Sequence, residues 1–377
     1  MNSPGERIQE FFTQFAPYAG FASDLDGTGY DTEWYASRVT STLTLEAIQH
    51  AGGNPFAVIS QFFSKGETQA DNSWLQLKDV SVTGLTNAGM GALTDLFAEY
   101  VCLHYSGRSV EKQVPMIELD LGITLPSDFI DRKKAENLRV LGRDTTPIAG
   151  FPELLQFVIR HRIPFACLTA SPPDRVQASM ECSGLDRYLS ISGADGKIPV
   201  ISTEKASVIH LAGHKISIPK HAAKPAPDGY IHTADEVLRI PRQYVVALED
   251  SGSGVKAAGQ ADHTVGLVVT GGHFPRHPDH HSRHVEKLKT DVGHNRHFVI
   301  NSPRAWTIAV KTWINLAVAH AEKEGAAGLN GSRQVVDAYV DEHFAHLSAV
   351  DELRRPGLTP GSAHTLGRRE LAHSIPV

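Results

Sequence analysis

The chain has 377 residues with 41% hydrophobic and 21% charged content, which gives room for a sizeable buried core in two domains, or in one core with a large insertion. A net charge of −6 excludes a global basic field that would draw the whole chain to nucleic acid or to an anionic membrane. Three widely spaced cysteines, Cys102, Cys167 and Cys182, argue against a disulfide framework or a structural zinc site and for reduced thiols. The start, MNSPGERIQEFF, lacks the basic and apolar regions of a signal peptide. No run approaches the roughly eighteen apolar residues of a membrane span, so a soluble, cytoplasmic protein is expected.

In chain order, the first buried strand is expected in Tyr18-Ala-Gly-Phe-Ala-Ser, running into Asp24-Leu-Asp-Gly-Thr. A long, mostly helical segment follows, with helices expected over Leu93 to His104 and Pro126 to Leu141. It is too long for a simple crossover and reads as an inserted helical cap domain. A helix over Pro152 to Arg162 leads to a second strand, Ile163-Pro-Phe-Ala-Cys-Leu, which runs into Thr169-Ala-Ser; a helix over Asp174 to Ser183 comes next. Ser190 to Ala223 reads as an elongated connection rich in Lys and His, and Gly229 to Leu238 as a helix. The third strand, Tyr244-Val-Val-Ala-Leu, ends in Glu249-Asp250-Ser-Gly. A short strand over Phe298 to Ile300 and helices over Ala305 to Ala321 and Val335 to Leu353 complete the chain, the last two separated by a linker-like stretch. Strand–helix alternation predicts an α/β fold with a doubly wound parallel sheet, whose ligands bind beyond the carboxyl ends of the strands.

Polar clusters fall at those ends. Asp24 and Asp26 stand two apart, so both carboxylates can project toward one site; one can attack phosphorus and the other can exchange a proton with the leaving group and water. Thr169 and the backbone N–H groups after it, beginning with Ala170, can bind phosphate oxygens, although Thr-Ala-Ser-Pro is also an ordinary helix cap. Lys224, in Lys-Pro-Ala-Pro-Asp-Gly-Tyr, can neutralise phosphate and nucleophile. Glu249 and Asp250 beside other carboxylates call for a cation, and Mg²⁺ suits an oxygen-only site facing phosphate. Each cluster alone is also a common surface turn, cap or solvated charge.

Taken in order, DLDGT, the strand-end Thr169, KPAPDGY and ALEDSGSGVKAA resemble the four motifs of the haloacid dehalogenase superfamily, and the last two resemble its β-phosphoglucomutase and phosphoglycolate phosphatase-like branch. The similarity spans residues 18–33 and 146–302. It implies a Rossmann-like core (residues 1–32 and 146–304) with a helical cap (33–145), followed by a C-terminal helical extension (305–354) and a disordered tail (355–377). It further implies Asp24 as nucleophile, Asp26 as general acid and base, and Thr169, Ala170 and Lys224 as phosphate-binding. Mg²⁺ would be ligated by Asp24, Asp26 through its carbonyl, and Asp250, with Glu249 assisting. The expected activity is Mg²⁺-dependent hydrolysis of a small phosphorylated metabolite, a sugar phosphate or phosphoglycolate-like acid, through an aspartyl-phosphate, with neither nucleic acid nor membrane as partner and no oligomeric state implied. A sugar-phosphate mutase and a non-catalytic phosphate-binding regulator are the alternatives.

Two departures stand out. Gly29 occupies a position that is usually bulky and apolar, and Ala36 stands twelve residues after the nucleophile, where the mutases carry histidine. The second weakens the mutase reading and leaves water as second acceptor. His273, His277, His280, His281 and His284 lie among Pro, Gly, Arg and Asp and read as a solvated loop rather than a transition-metal site.

Overall fold

The computed structural model describes residues 3–65, 87–105, 110–193, 196–211, 214–269, 278–326 and 333–347. Eleven strands occur among them: β1 (Gly20–Ser23), β2 (Tyr30–Asp31), β3 (Thr146–Pro147), β4 (Phe165–Thr169), β5 (Leu189–Ser190), β6 (Ile198–Ser202), β7 (Ser207–Leu211), β8 (His214–Ile218), β9 (Val245–Glu249), β10 (Thr264–Val268) and β11 (His297–Ile300). Seven form one parallel sheet in the order β11-β10-β9-β1-β4-β6-β5. The chain leaves central β1 for β4 on one side and later returns to β9 on the other. The order therefore reverses at β1, and it is beyond the carboxyl ends at such a reversal that ligands bind in the crevice of open α/β sheets.

The strands are buried on both faces because helices cover both. Phe21, Phe165, Cys167, Val246 and Leu248 pack one face against Phe11, Phe12, Phe151, Trp306 and Trp313. The alternate residues, Ala22, Ala166, Leu168, Val245 and Ala247, pack the other face against Tyr230, Val255, Ala258 and Leu288. Continuous apolar runs rather than alternation are the sequence form of such strands. Trp306 and Trp313 are fully buried, and burial of a side chain that large contributes roughly 2–3 kcal/mol. The C-terminal helices thus belong to the core packing.

Among the described residues between β2 and β3 lie five helices, Glu33–His50, Pro55–Lys65, Asn87–Tyr105, Val110–Leu121 and Phe129–Asp144. They enclose an apolar cluster of their own, with Val39, Leu43, Ile48, Ile59, Leu93, Phe97, Tyr105, Ile117 and Phe129. β2 and β3 pair antiparallel, Tyr30 with Pro147 and Asp31 with Thr146, so this helical cap enters and leaves the core side by side.

Some expectations need correction. Ser190 to Ala223 is not a simple connection: it holds β6, a buried strand of the main sheet, and the antiparallel pair β7–β8. The helix expected over Gly229 to Leu238 is an α-helix over Asp228–His232 that widens into a π-helix over Thr233–Leu238. The last helix among the described residues is Arg333–His343, followed by a 3₁₀ turn, Ala345–Leu347; positions 348–353 of the expected helix lie outside them. Most of the linker-like stretch and the tail from 348 onward lie outside the described residues.

The histidine-rich stretch is corrected in part. His273 and His277 lie outside the described residues, but Pro278–Val292 is a helix rather than a solvated loop. Val285, Leu288 and Val292 recur at helical spacing and press an apolar stripe onto the cluster around Ala258 and Val265. The surrounding histidines hide that stripe in the sequence.

Candidate active site

β1, β4 and β9 are adjacent, and each ends in polar residues at the crevice. Asp24 follows β1, with its backbone N–H donated to the Leu248 carbonyl of β9 at 2.9 Å. Lys224 reaches in from the loop before the Asp228–His232 helix. Its Nζ lies 2.5 Å from Asp24 Oδ1 and 2.5 Å from Glu249 Oε1. Tyr230, fully buried, donates its hydroxyl to the same Glu249 oxygen at 2.6 Å and lies beneath the Lys224 ammonium, 5.5 Å from ring centre to Nζ. Thr28 Oγ1 donates to Asp250 Oδ1 at 2.9 Å.

Glu249 closes β9, and Ser251 caps the following helix, Gly252–Gln260, by accepting from Gly254 N at 3.1 Å. The helix start favours the nearby carboxylate. Gly254 is required there, because a Cβ at that position would lie 2.0 Å from Glu249 Oε2.

The two aspartates at the end of β1 stand in opposite surroundings. Burial pushes the Asp24 carboxyl above the ordinary range; Lys224 pulls it back, and Glu249, Asp250 and Asp26 push it up again. Glu249 is likewise raised, by burial first. Burial opposes the Lys224 ammonium as well, but Asp24 and Glu249 outweigh it and its pKa rises.

Asp26 faces away from this group. Its Oδ1 accepts from Thr32 Oγ1 at 2.9 Å and from Arg175 Nη2 at 2.7 Å; its Oδ2 accepts from Thr169 Oγ1 at 3.1 Å and Ser171 Oγ at 2.7 Å. Burial alone would raise this carboxyl, but Arg175 and the three hydroxyls outweigh it and hold it below the usual range. One strand end thus carries one carboxylate that favours a proton and one held ionised.

Asp24, Asp26, Thr169, Lys224, Glu249 and Asp250 therefore surround one crevice. Ala170 directly follows β4 with an exposed side chain. Ser171, Arg175, Thr32 and Tyr230 complete the setting and were not singled out in the sequence. Tyr230 lies inside the KPAPDGY motif, so a signal for it existed. Arg175 is a single arginine in the first turn of a surface helix and offered none.

Asp24, Glu249 and Asp250 each offer a carboxylate oxygen within 4.8 Å of the others, and all three are buried. Three buried carboxylates beside one lysine leave negative charge that a cation can offset, and an all-oxygen donor set suits a hard divalent ion.

No family model and no curated protein sequence matches the chain. Among solved structures, a conserved haloacid dehalogenase-like protein of unknown function from Agrobacterium tumefaciens str. C58 superposes with a TM-score of 0.51 and 19% identity, over 78% of this chain and 98% of that one. A HAD family hydrolase from Deinococcus radiodurans R1 with bound phosphate and sodium gives 0.46 and 19%, over 80% and 98%. A HAD hydrolase, family IA, variant 3, from Entamoeba histolytica gives 0.46 and 17%, over 79% and 99%. Seven parallel strands, the inserted helices and the first of these superpositions agree: the chain has the haloacid dehalogenase-like α/β fold with a helical cap.

Proposed function

We propose that this protein is a Mg²⁺-dependent phosphatase acting on a small phosphorylated metabolite through an aspartyl-phosphate on Asp24. The observation that carries this reading is the opposed pair at the end of β1: Asp24 facing a lysine and two further buried carboxylates, and Asp26 facing a separate set of donors.

In the proposed reaction an Asp24 carboxylate oxygen attacks phosphorus and the ester P–O bond breaks. Asp26 is held ionised before substrate binds, so the step requires it to take up a proton as Thr169 and Ser171 turn from it toward the phosphoryl oxygens; it then gives that proton to the departing alkoxide. Asp26 then takes a proton from water, which attacks phosphorus, releases inorganic phosphate and regenerates Asp24. Lys224, the Thr169 hydroxyl and the N–H groups from Ala170 onward hold the phosphoryl oxygens. Thr169 and Ser171 are engaged with Asp26, so substrate entry redirects at least one of their hydroxyls toward phosphate. Asp24, Asp250 and the Asp26 carbonyl, with Glu249 assisting, would hold Mg²⁺, which supplies positive charge against the phosphoryl oxygens. Ala36 lies in the cap helix Glu33–His50 and brings no imidazole, which favours water over a sugar hydroxyl as second acceptor.

Acid quench during turnover, followed by peptide mass spectrometry, tests the intermediate. A phosphoryl adduct on the peptide carrying Asp24, absent from Asp24→Asn, is expected; turnover with no adduct on that peptide rejects the covalent route.

A further inference from the structure

Two cations, buried Lys133 and half-buried Arg175, lie on the Asp26 side of the crevice, and the phosphoryl steps use neither. The cap helix Phe129–Asp144 packs along the core helix Pro173–Ser183, with Gly142 against Ala178 and Cys182 Sγ 3.4 Å from the Thr145 carbonyl. The two helices run in the same direction, so Lys133 near the start of one lies at the Arg175 end of the other. Lys133 is only 5% exposed and hydrogen-bonds to Gln113 Oε1. The charged groups that act on it are Arg175, then Glu33 and Glu111.

The pair has more donors than acceptors. An ammonium offers three hydrogens and Gln113 takes one. Arg175 gives Nη2 to Asp26, while its buried Nε has no hydrogen-bond partner among the described residues. Asp26 and Glu33 offset the charge of Arg175, and Glu33 and Glu111 that of Lys133. Burial, then Arg175, draws the Lys133 ammonium down to about 7, and Glu33 and Glu111 offset this only in part. Buried donors without acceptors are costly, and an anionic ligand group supplies acceptors and countercharge together.

We infer that Lys133 and Arg175 form a subsite for an anionic group on the leaving alcohol, so that the substrate carries a carboxylate or second phosphate besides the ester that is cleaved. This rests on the proposed phosphatase reading, because Asp26 marks the leaving-group side. It assigns the cap a defined part in selection: Lys133 comes from the cap and Arg175 from the core, so the subsite is complete only when the two are packed together.

The test compares kcat/KM, with Mg²⁺, for matched esters. These are 3-phosphoglycerate against glycerol 1-phosphate, where a hydroxymethyl replaces the carboxylate, and propane-1,3-diol bisphosphate against its monophosphate. The acidic member of at least one pair is expected to be preferred by roughly tenfold or more, the size of one charge-assisted hydrogen bond, and the preferred pair identifies the anion. In Lys133→Met that ratio falls toward one, and Lys133→Arg restores part of it. Equal rates for both members in the wild type overturn the inference and leave the phosphatase reading intact. Loss of both rates by the same factor in Lys133→Met gives the lysine a purely structural role and also overturns it. If Lys133→Met does not fold, the wild-type ratios and Lys133→Gln decide. Hydrolysis of none of the four esters, nor of any other phosphate ester, overturns the phosphatase reading and this inference with it.

Discussion

Lys224 is held between Asp24 and Glu249, 2.5 Å from each, with its side chain only 8% exposed. Losing one partner of a buried ion pair typically costs about 3–5 kcal/mol, because the remaining charge stays out of water. Lys224→Met should therefore lower the urea midpoint substantially in metal-free protein, and saturating Mg²⁺ should recover part of the loss by replacing the missing positive charge. A variant as stable as the wild type without metal would show that the carboxylates are not strained by their mutual repulsion. The raised pKa of Asp24 and Glu249 gives a signed pH effect. The folded state holds protons that the unfolded chain has released, so these groups make metal-free protein lose stability as pH rises from the ordinary carboxylate range through their folded pKa values. Mg²⁺ binds the ionised forms, so the stabilisation it adds should grow over the same window. Thermal melts from pH 4 upward, with Mg²⁺ or EDTA, check this; a metal increment independent of pH would contradict it.

At the scale of elements, the turn after β9 and the flap after β1 explain two glycines. Gly254 leaves space for the Glu249 carboxylate, and a Cβ there would sit 2.0 Å from it. Gly254→Ala should displace Glu249, destabilise by about 1–3 kcal/mol and weaken both Mg²⁺ stabilisation and turnover. Retained turnover would mean that Glu249 is dispensable. At Gly29, where the motif usually continues with a bulky apolar residue, a Cβ would meet Phe151 Cε1 at 2.9 Å and Leu25 Cδ2 at 3.1 Å. The ring of Phe151, fully buried under the flap, takes the space, so the departure is a steric exchange within the core.

The strand-end motifs were legible because chemistry and periodicity coincide in them: a short apolar run stops abruptly in Asp, Thr or Glu. β6 was less legible, since Ile198 to Ser202 is short, carries a proline and is followed by a stretch rich in Lys and His. The N-terminal helix Pro4–Phe15 was passed over, although Ser3 and Glu6 form a capping box that its sequence announces. Arg175 and Lys133 were invisible for a different reason. Their meaning comes from two helices, roughly forty residues apart in sequence, being packed side by side, and no local pattern records that.

For the whole molecule, the N-terminal helix and the helices Trp306–Lys323 and Arg333–His343 close one face of the sheet together. Phe12 of the N-terminal helix stacks on Trp313 with ring centres 5.9 Å apart, and lies 4.0 Å from the ring of His161, whose Nε2 is 2.9 Å from the Tyr339 hydroxyl in the C-terminal helix. Burial, then Arg160 and His343, lowers His161 to about 4. A histidine with a lowered folded pKa contributes stability that is fully present above its unfolded value of 6.5 and is lost as pH falls toward 4. The effect is on the order of 2–3 kcal/mol. His161→Phe, which keeps an aromatic ring against Phe12, should flatten that part of the pH profile of urea unfolding. An unchanged slope between pH 7 and pH 5 would remove His161 from the explanation. The same packing predicts that a chain ending at residue 302, lacking Trp306 and Trp313, will not fold to a soluble core.

Release of inorganic phosphate from a broad panel of phosphorylated metabolites, by wild type and Asp24→Asn, each with Mg²⁺ or EDTA, reaches the central claim most directly. Release that needs Mg²⁺ and disappears in Asp24→Asn is the expected result. Full activity in EDTA, undiminished activity in Asp24→Asn, or no release from any ester by folded, Mg²⁺-loaded wild type would contradict it.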